Sequence, residues 1–204
     1  MPNHIQSIIT ISGTKESVER VKNRILVTEE YISELNERNK NLADDFKTAI
    51  PKLGTLTMNR LIPKPTNIFQ GEFLTKATED KYGKENCWFD WNIQHWGTKW
   101  DVYDEEITML NDNVMQIMFQ TAWNAPMPYM EQLAKVCVEE GCKMSGMFCD
   151  EDFASNMGLY VINENNEFDV EWHCEDATLY EECWGWNPCE NDEEFEDVDD
   201  ESVE

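Results

Sequence analysis

The chain has 204 residues, of which 41% are hydrophobic and eight are tryptophan, and its formal net charge at pH 7 is −26. This composition supplies enough apolar surface for a folded core, which excludes wholesale disorder. The net charge disfavours binding to nucleic acid and to anionic membrane surfaces, because both attract basic proteins.

The charge is divided unequally between the two halves of the chain. Residues 1–100 carry 14 Lys/Arg and 13 Asp/Glu, whereas residues 101–204 carry 2 Lys/Arg and 29 Asp/Glu. The acidic half divides again, with 15 acids in residues 101–174 and 14 in residues 175–204. Such an asymmetry indicates repulsion from nucleic acid, attraction to a basic partner, or a solvated tail.

The sequence lacks the patterns of export and membrane insertion. Residues 1–5 have neither the basic region nor the apolar stretch of a signal peptide, and no apolar run approaches the ~20 residues that span a bilayer. We therefore expect a cytoplasmic protein without a membrane partner. The seven cysteines are odd in number and have no CxxC spacing, which favours reduced thiols over disulfides or a zinc site.

The first elements predict a strand followed at once by a helix. Residues 5–11 are rich in β-branched side chains and apolar on both faces, which is typical of a central strand. Thr14 is placed to cap a helix in which Val18, Val21 and Ile25 form the buried stripe.

The next part of the chain predicts two insertions around a second strand. Residues 28–50 are strongly charged with sparse apolar anchors and predict a helical insertion. Residues 55–62 alternate like a strand and are bounded by breakers. Residues 66–95 predict a second helical insertion, whose final helix ends at Gly97.

The remaining elements complete an α+β pattern. Strands are predicted at 113–123, 142–149, 158–163 and 167–172, with a helix at 126–140. The order predicts the α+β class with a ferredoxin-like split β-α-β sandwich, a mainly antiparallel sheet with helices on one face. We assign residues 1–174 to this domain, residues 175–189 to an extension that docks on it, and residues 190–204 to a disordered acidic tail.

Four short motifs, occurring in this order, resemble those of a known family. They are residues 1–4 (Met-Pro-Asn-His), residues 96–101 (Trp-Gly-Thr-Lys-Trp-Asp), residues 121–123 (Thr-Ala-Trp) before Pro126, and residues 150–153 (Asp-Glu-Asp-Phe) with Gly158. Together they resemble the YubB-type ferredoxin-like domain family, which is carried on conjugative plasmids and bacteriophages. The resemblance covers roughly residues 2–172.

The resemblance implies a ferredoxin-like α+β fold, a mobile genetic element and a bacterial host cell. It implies neither an iron–sulfur cluster nor an established biochemical activity. Residues 28–50 and the acidic segment after residue 172 depart from the compact family pattern, so they are candidates for a property specific to this chain.

The 96–101 run is a candidate ligand pocket. It offers two aromatic faces, a hydroxyl, a cation and a carboxylate within six residues, a combination suited to stacking a base or sugar and bonding its edge. The alternative is structural, with the two indoles sealing the core and the lysine paired with the aspartate. The five candidate residues are Trp96, Thr98, Lys99, Trp100 and Asp101.

Enzyme chemistry has weak support in the sequence. Asp150 and Asp152 suggest a metal-dependent hydrolase, with Glu151 and either Asp101 or Asp104 as further oxygen ligands. No phosphate loop, dinucleotide fingerprint or nucleophile elbow accompanies them. We therefore expect a protein that is not an enzyme and that needs no cofactor or metal.

The acidic half leads to the main functional hypothesis. An ordered surface of carboxylates suits a basic cleft that otherwise holds nucleic acid, as in a DNA mimic. We expect an anti-defence accessory protein that inhibits a basic host protein, in particular a nucleic-acid-binding or nucleic-acid-processing one. The candidate partner-binding residues are Asp150, Glu151, Asp152, Glu164, Glu167, Asp169, Glu171, Glu175, Asp176, Glu181 and Glu182.

Overall fold

The protein contains a six-stranded antiparallel sheet. A computed structural model describes residues 3–72, 74–173 and 175–189. In these residues the strand order across the sheet is β2-β3-β1-β4-β5-β6, and every neighbouring pair is antiparallel. The strands are β1 (His4–Ser12), β2 (Tyr103–Asn111), β3 (Val114–Ala122), β4 (Lys143–Asp150), β5 (Gly158–Ile162) and β6 (Phe168–Trp172).

Six α-helices accompany the sheet in the described part of the chain. No described helix is long and apolar enough to cross a membrane. The helices are α1 (Lys15–Ile25), α2 (Glu29–Asn39), α3 (Lys76–Tyr82), α4 (Trp88–Trp96), α5 (Met127–Glu139) and α6 (Ala177–Trp184).

The predicted fold class is confirmed. The elements β1-α1-β2-β3-α5-β4 form the ferredoxin-like unit, in which β1 lies between β3 and β4 and runs antiparallel to both. Helices α1 and α5 cover one face of the sheet, where Ile5, Ile9 and Ile11 of β1 are fully buried. Strands β5 and β6 extend the sheet beyond β4.

The prediction of a strand at residues 55–62 is wrong. Leu56 makes one isolated bridge to Leu26, and Met58–Arg60 forms a single 3-10 turn. The apolar side chains there pack a loop against the core, and Met58 is fully buried. Their apolar pattern therefore arises from burial of a loop and not from strand pairing.

The second strand of the fold is β2, which the sequence analysis did not predict. It is an edge strand that pairs only with β3 among the described strands, and it is bulged between Tyr103 and Glu106. Exposed charged residues and bulges are common on edge strands because they discourage pairing with other chains. Residues 104–106 of this strand are acidic (Asp-Glu-Glu), so a prediction based on alternating apolar residues does not detect it.

One long insertion joins α1 to β2. It comprises residues 26–102 and contains α2, α3 and α4. The α-helical part of the predicted 28–50 insertion is limited to α2, since residues 40–50 are irregular apart from a 3-10 turn at Asp44–Phe46. Helix α4 ends as predicted at Gly97, whose φ of 83° gives the left-handed conformation of a helix C-cap.

Helix α6 lies on the face of the sheet opposite α1 and α5. Its residues Leu179, Tyr180 and Cys183 form a small core with Cys149 of β4 and Met157. The segment 175–189 thus packs on the face of the sheet that the two-helix layer leaves uncovered. The predicted tail, residues 190–204, lies outside the described residues.

Candidate functional site

The insertion encloses a cavity of about 290 Å³, which we call the insertion pocket. Every residue that lines it belongs to residues 26–102. Its lining is largely aromatic, and it also includes a lysine, an asparagine and an aspartate. The aromatic lining consists of Tyr31, Trp88, Trp96 and Trp100, and the three polar residues are Lys64, Asn92 and Asp101.

The predicted 96–101 site is partly assembled in this pocket. Trp96, Trp100 and Asp101 line it, but Thr98 and Lys99 do not. Thr98 is fully buried and fastens the insertion to β3, because its hydroxyl donates to the Ala122 carbonyl and accepts from the Ala122 amide. Thr98 is therefore structural and not a ligand group.

Lys99 also has a different role from either one predicted. Its Nζ lies 4.4 Å from the Trp100 ring centroid and 4.7 Å from that of Trp123, and it has no carboxylate partner within the described residues. The predicted pairing of Lys99 with Asp101 is wrong. The ammonium is held by cation–π contacts instead.

The Asp101 carboxylate is held by three donors. One oxygen accepts from the Thr57 hydroxyl, and the other accepts from the backbone N–H of Met58 at 2.7 Å and of Val102 at 2.9 Å. Burial raises the pKa of Asp101, while these hydrogen bonds and the charge of Lys64 oppose the increase. Asp101 thus connects the end of the insertion to the 57–58 loop.

Lys64 is a buried cation between two prolines. It is 7% exposed, and its Nζ donates to the Gln70 side-chain carbonyl at 3.1 Å. The Nζ also lies 4.5 Å from the Trp96 ring centroid. No described carboxylate lies within ion-pair distance, and burial lowers the pKa of Lys64 to about 8.

Asn92 contributes a buried amide to the same pocket. It is 2% exposed, its Nδ2 donates to the Lys99 carbonyl at 2.8 Å, and its Oδ1 has no hydrogen-bond partner in the described structure. The sequence could have predicted this position, because Trp88, Asn92 and Trp96 are spaced by four residues and so share one face of α4. For Lys64, the flanking prolines of the Pro-Lys-Pro triplet do not by themselves predict a buried lysine.

The carboxylates predicted to bind a partner are mostly exposed. Asp150 is the exception: it is 2% exposed, and its Oδ1 accepts from the Asp152 amide at 3.0 Å. Because its side chain is buried and hydrogen-bonded, Asp150 is a structural group and its assignment to the partner surface is wrong; burial also raises its pKa. The exposed members are Glu151, Asp152, Glu164, Glu167, Asp169, Glu171, Glu175, Glu181 and Glu182.

The structure spreads the exposed members over both ends of the sheet, β6 and α6: Asp169 and Glu171 lie on β6, and Glu175, Glu181 and Glu182 lie before or on α6. Glu164 and Glu167 lie at the β5–β6 turn, and Glu151 and Asp152 follow β4 at the other end of the sheet, near α6. Asp176 is half-buried, because its side chain caps α6 by accepting from the Leu179 amide.

A ladder of paired residues crosses the face opposite α1 and α5. The strand register aligns one residue from each of the six strands, and paired residues in antiparallel strands point to the same side. The four central members are apolar and half-buried, two of them (Met147 and Leu159) because they pack against the small core of α6, and both terminal members are exposed glutamates. In spatial order the open-face ladder is Glu106, Met118, Ile8, Met147, Leu159 and Glu171.

The proposed metal ligands do not converge. Among the residues that the structure describes, no group of three or more His, Cys, Asp or Glu side chains is arranged to hold a metal ion. The six described cysteines are free thiols, and five of them are buried; Cys174 lies outside the described residues.

The fold and the cavity together define a class of protein: an α+β protein with a ferredoxin-like core and a pocket-bearing insertion between its first helix and second strand. No protein-family model and no curated protein matches the sequence. The chain is similar to the crystal structure of the protein api92 from Yersinia pseudotuberculosis, which carries the family model DUF1281. The two are 10% identical with a TM-score of 0.50, and the match covers 85% of this chain and 98% of that chain. At this identity the likeness concerns the fold alone.

Proposed function

We propose that the chain is an inhibitory accessory protein that binds a basic host protein through the open-face ladder and the carboxylates around it. The observation that carries this proposal is the ladder itself. Between Glu106 and Glu171, about 24 Å apart at the usual strand spacing, it holds a half-buried apolar row, of which Met118 and Ile8 are not among the residues that pack against the α6 core. A half-buried apolar row with a charged border has the composition of a protein interface.

The charge around the ladder supports a basic partner. Residues 101–189 contain 19 acids and 2 lysines. Asp112, Glu131, Glu139 and Glu140 pair with described Lys or Arg residues. The other 15 acids have no such partner in the described structure; two of them, Asp101 in the insertion pocket and the buried Asp150, do not belong to this surface, which leaves 13. An excess of one sign steers an oppositely charged protein toward the surface and accelerates association.

Two exposed indoles follow in sequence, Trp186 against Tyr180 of α6 and Trp172 on the other face of β6 from Glu171. Trp172 at the end of β6 is 59% exposed, and Trp186 after α6 is 47% exposed. Tryptophan is enriched among the residues that contribute most to protein–protein affinity. Exposed aromatic and acidic groups on ordered elements favour docking to a protein more than literal imitation of a duplex, whose surface is continuously charged.

The sequence resemblance to a plasmid- and phage-borne family supports a host defence or nucleic-acid-processing protein as the partner. The test is the affinity of the full chain for purified bacterial DNA-binding proteins, nucleases among them, at low and high salt. We expect specific binding that weakens as salt rises and that competes with DNA. An affinity that salt does not change would contradict the proposal.

Matched variants separate this surface from net charge. The double variant Asp169→Asn/Glu171→Gln removes two carboxylates of β6, and Glu29→Gln/Glu34→Gln removes two exposed carboxylates of α2 in the insertion. We expect the first to weaken binding at least tenfold and the second to change it less than twofold. Equal losses would indicate a non-specific effect of charge.

A further inference from the structure

We propose that the insertion pocket binds a small organic anion that carries a planar ring, with the Lys64 ammonium as its counter-charge and the indoles of Trp96 and Trp100 beside the ring. This inference concerns a different surface from the open-face ladder. It is independent of the protein partner proposed above.

The first step is that Lys64 lacks the partner that a buried cation ordinarily has. Buried lysines are rare unless they are paired with a carboxylate. The Lys64 ammonium instead bonds the neutral amide of Gln70 and lies over the Trp96 ring, which leaves two of its three N–H groups without an acceptor among the described residues. An anion in the pocket would supply the missing charge and acceptors.

The second step concerns the sign of the ligand charge. Aromatic cages commonly bind cations, but here the protein's own ammonium already lies 4.5 Å from the Trp96 ring centroid. The Asp101 carboxylate is already engaged by Thr57, Met58 and Val102. A second cation would meet Lys64 without a free counter-charge, so the pocket favours an anion.

The third step concerns the rest of the ligand. Indole faces stack planar rings, nucleobases among them. Asn92 lines the pocket, and its buried Oδ1 has no donor in the described structure, which favours a ring that bears an N–H or O–H group over a bare ring. A volume of about 290 Å³ is at the lower end for ligand sites, which limits the ligand to one or two rings.

Two sources supply this chemistry, and the experiment distinguishes them. Isothermal titration calorimetry of the full chain would use the four nucleoside monophosphates AMP, GMP, CMP and UMP in one arm. The other arm would use the ring carboxylates benzoate and anthranilate, and choline would serve as the cationic probe. We expect saturable binding in one arm, tighter binding of anthranilate than benzoate if the carboxylate arm responds, and none of choline.

The decisive variants are Lys64→Met and Lys99→Met. Both remove an ammonium beside a tryptophan of the 96–101 run, but only Lys64 lines the pocket. We expect Lys64→Met to weaken anion binding at least tenfold, Lys99→Met to change it less than twofold, and Lys64→Arg to retain part of it. Thermal melting of each variant would establish that it is folded.

The pH dependence offers a second readout. Because the pKa of Lys64 is about 8, the affinity for the anion should be constant near neutrality and fall above the pKa. The other titratable or charged groups around Lys64 are Asp101, Tyr31 and Arg38. Burial raises the pKa of Asp101, against which its hydrogen bonds act, burial also raises the pKa of Tyr31, and arginine stays charged. Lys64→Arg should abolish the decline.

Three results would overturn the inference. They are an absence of saturable binding by every anionic probe at millimolar concentration, binding that Lys64→Met leaves unchanged, and tighter binding of choline than of the anions.

Discussion

The insertion, residues 26–102, and the acidic region, residues 143–189, treat charge in opposite ways. The insertion has 10 Lys/Arg and 12 Asp/Glu, and several of its exposed charges form local pairs such as Lys84 with Asp90. The acidic region has 1 Lys and 11 Asp/Glu, and its described ion pair is that of His173 with Asp176. The insertion buries an unpaired charge, that of Lys64, whereas most of the unpaired carboxylates of the acidic region are exposed to solvent.

This difference has an energetic consequence. A buried charge without a partner costs stability, whereas an exposed one is solvated and costs little. Substitutions of buried charged groups, such as Lys64 and Asp101 of the insertion, should therefore change the free energy of unfolding, and those of the exposed carboxylates of the acidic region should mainly change partner binding. Four variants test this contrast.

The largest effect is expected from Asp101→Ala. Removing the carboxylate leaves the Thr57 hydroxyl and the Met58 and Val102 amides without their acceptor. We expect a loss of about 3 kcal/mol in the free energy of unfolding, measured by urea denaturation. Asp80→Ala is the control, because its exposed pair with Lys76 should contribute less than about 0.5 kcal/mol. Similar losses in both variants would contradict the contrast.

The next effect has the opposite sign. Lys64→Met replaces a buried ammonium by an apolar side chain of similar length, and we expect it to raise the free energy of unfolding at pH 7 by about 2 kcal/mol. The folded-state pKa of about 8 is below the unfolded value of 10.5, so the unfolded state binds more protons between these two values.

The stability of the unmodified protein attributable to Lys64 therefore rises with pH across that window, and the advantage of the variant should shrink there. Denaturation curves of both proteins at neutral and alkaline pH would measure this. If the variant were less stable at pH 7, the ammonium would stabilise the fold without an anion, and the expected energetic cost of burying Lys64 would be contradicted.

A smaller effect is expected at the one buried carboxylate of the acidic region that was predicted to face a partner. Asp150→Asn keeps the acceptor for the Asp152 amide and removes the charge. Because burial raises the folded-state pKa of Asp150, the charged form destabilises the fold at neutral pH. We expect a gain of about 1 kcal/mol at pH 7 that disappears as the pH falls to the unfolded pKa near 3.8.

The exposed neighbour Glu151 provides the control for that variant. Glu151→Gln should leave stability nearly unchanged over the same pH range. A stability loss in Asp150→Asn at neutral pH would show that its carboxylate is needed in the charged form.

The ferredoxin-like core was predictable where strands were buried. Strands β1, β3 and β4 carry apolar residues that become part of the core, so their pattern was visible in the sequence. Strand β2 was not, because an edge strand can be acidic on its exposed positions and still pair through its backbone. The error at residues 55–62 arose from the same source, since burial of a loop produces an apolar pattern without strand pairing.

The pocket was only half predictable for a different reason. The 96–101 run is contiguous, so its aromatic and acidic members were visible together. Lys64 reaches Trp96 only through the folding of the insertion, and no local pattern brings residues 32 positions apart into contact. The exclusion of Thr98 and Asp150 from the functional surfaces depended on burial, which a sequence of polar residues does not reveal.

The smallest effect on stability is expected from the β6 double variant Asp169→Asn/Glu171→Gln. Both side chains are exposed, and neither has a Lys or Arg partner in the described structure. Removing two like charges from a strongly acidic surface should change the free energy of unfolding by less than about 0.5 kcal/mol. The same variant is expected to lose at least tenfold in affinity for the basic partner. A loss of affinity without a loss of stability would show that these carboxylates serve binding and not folding. A large stability loss would instead assign these carboxylates to the sheet itself, and the contrast between the two regions would fail.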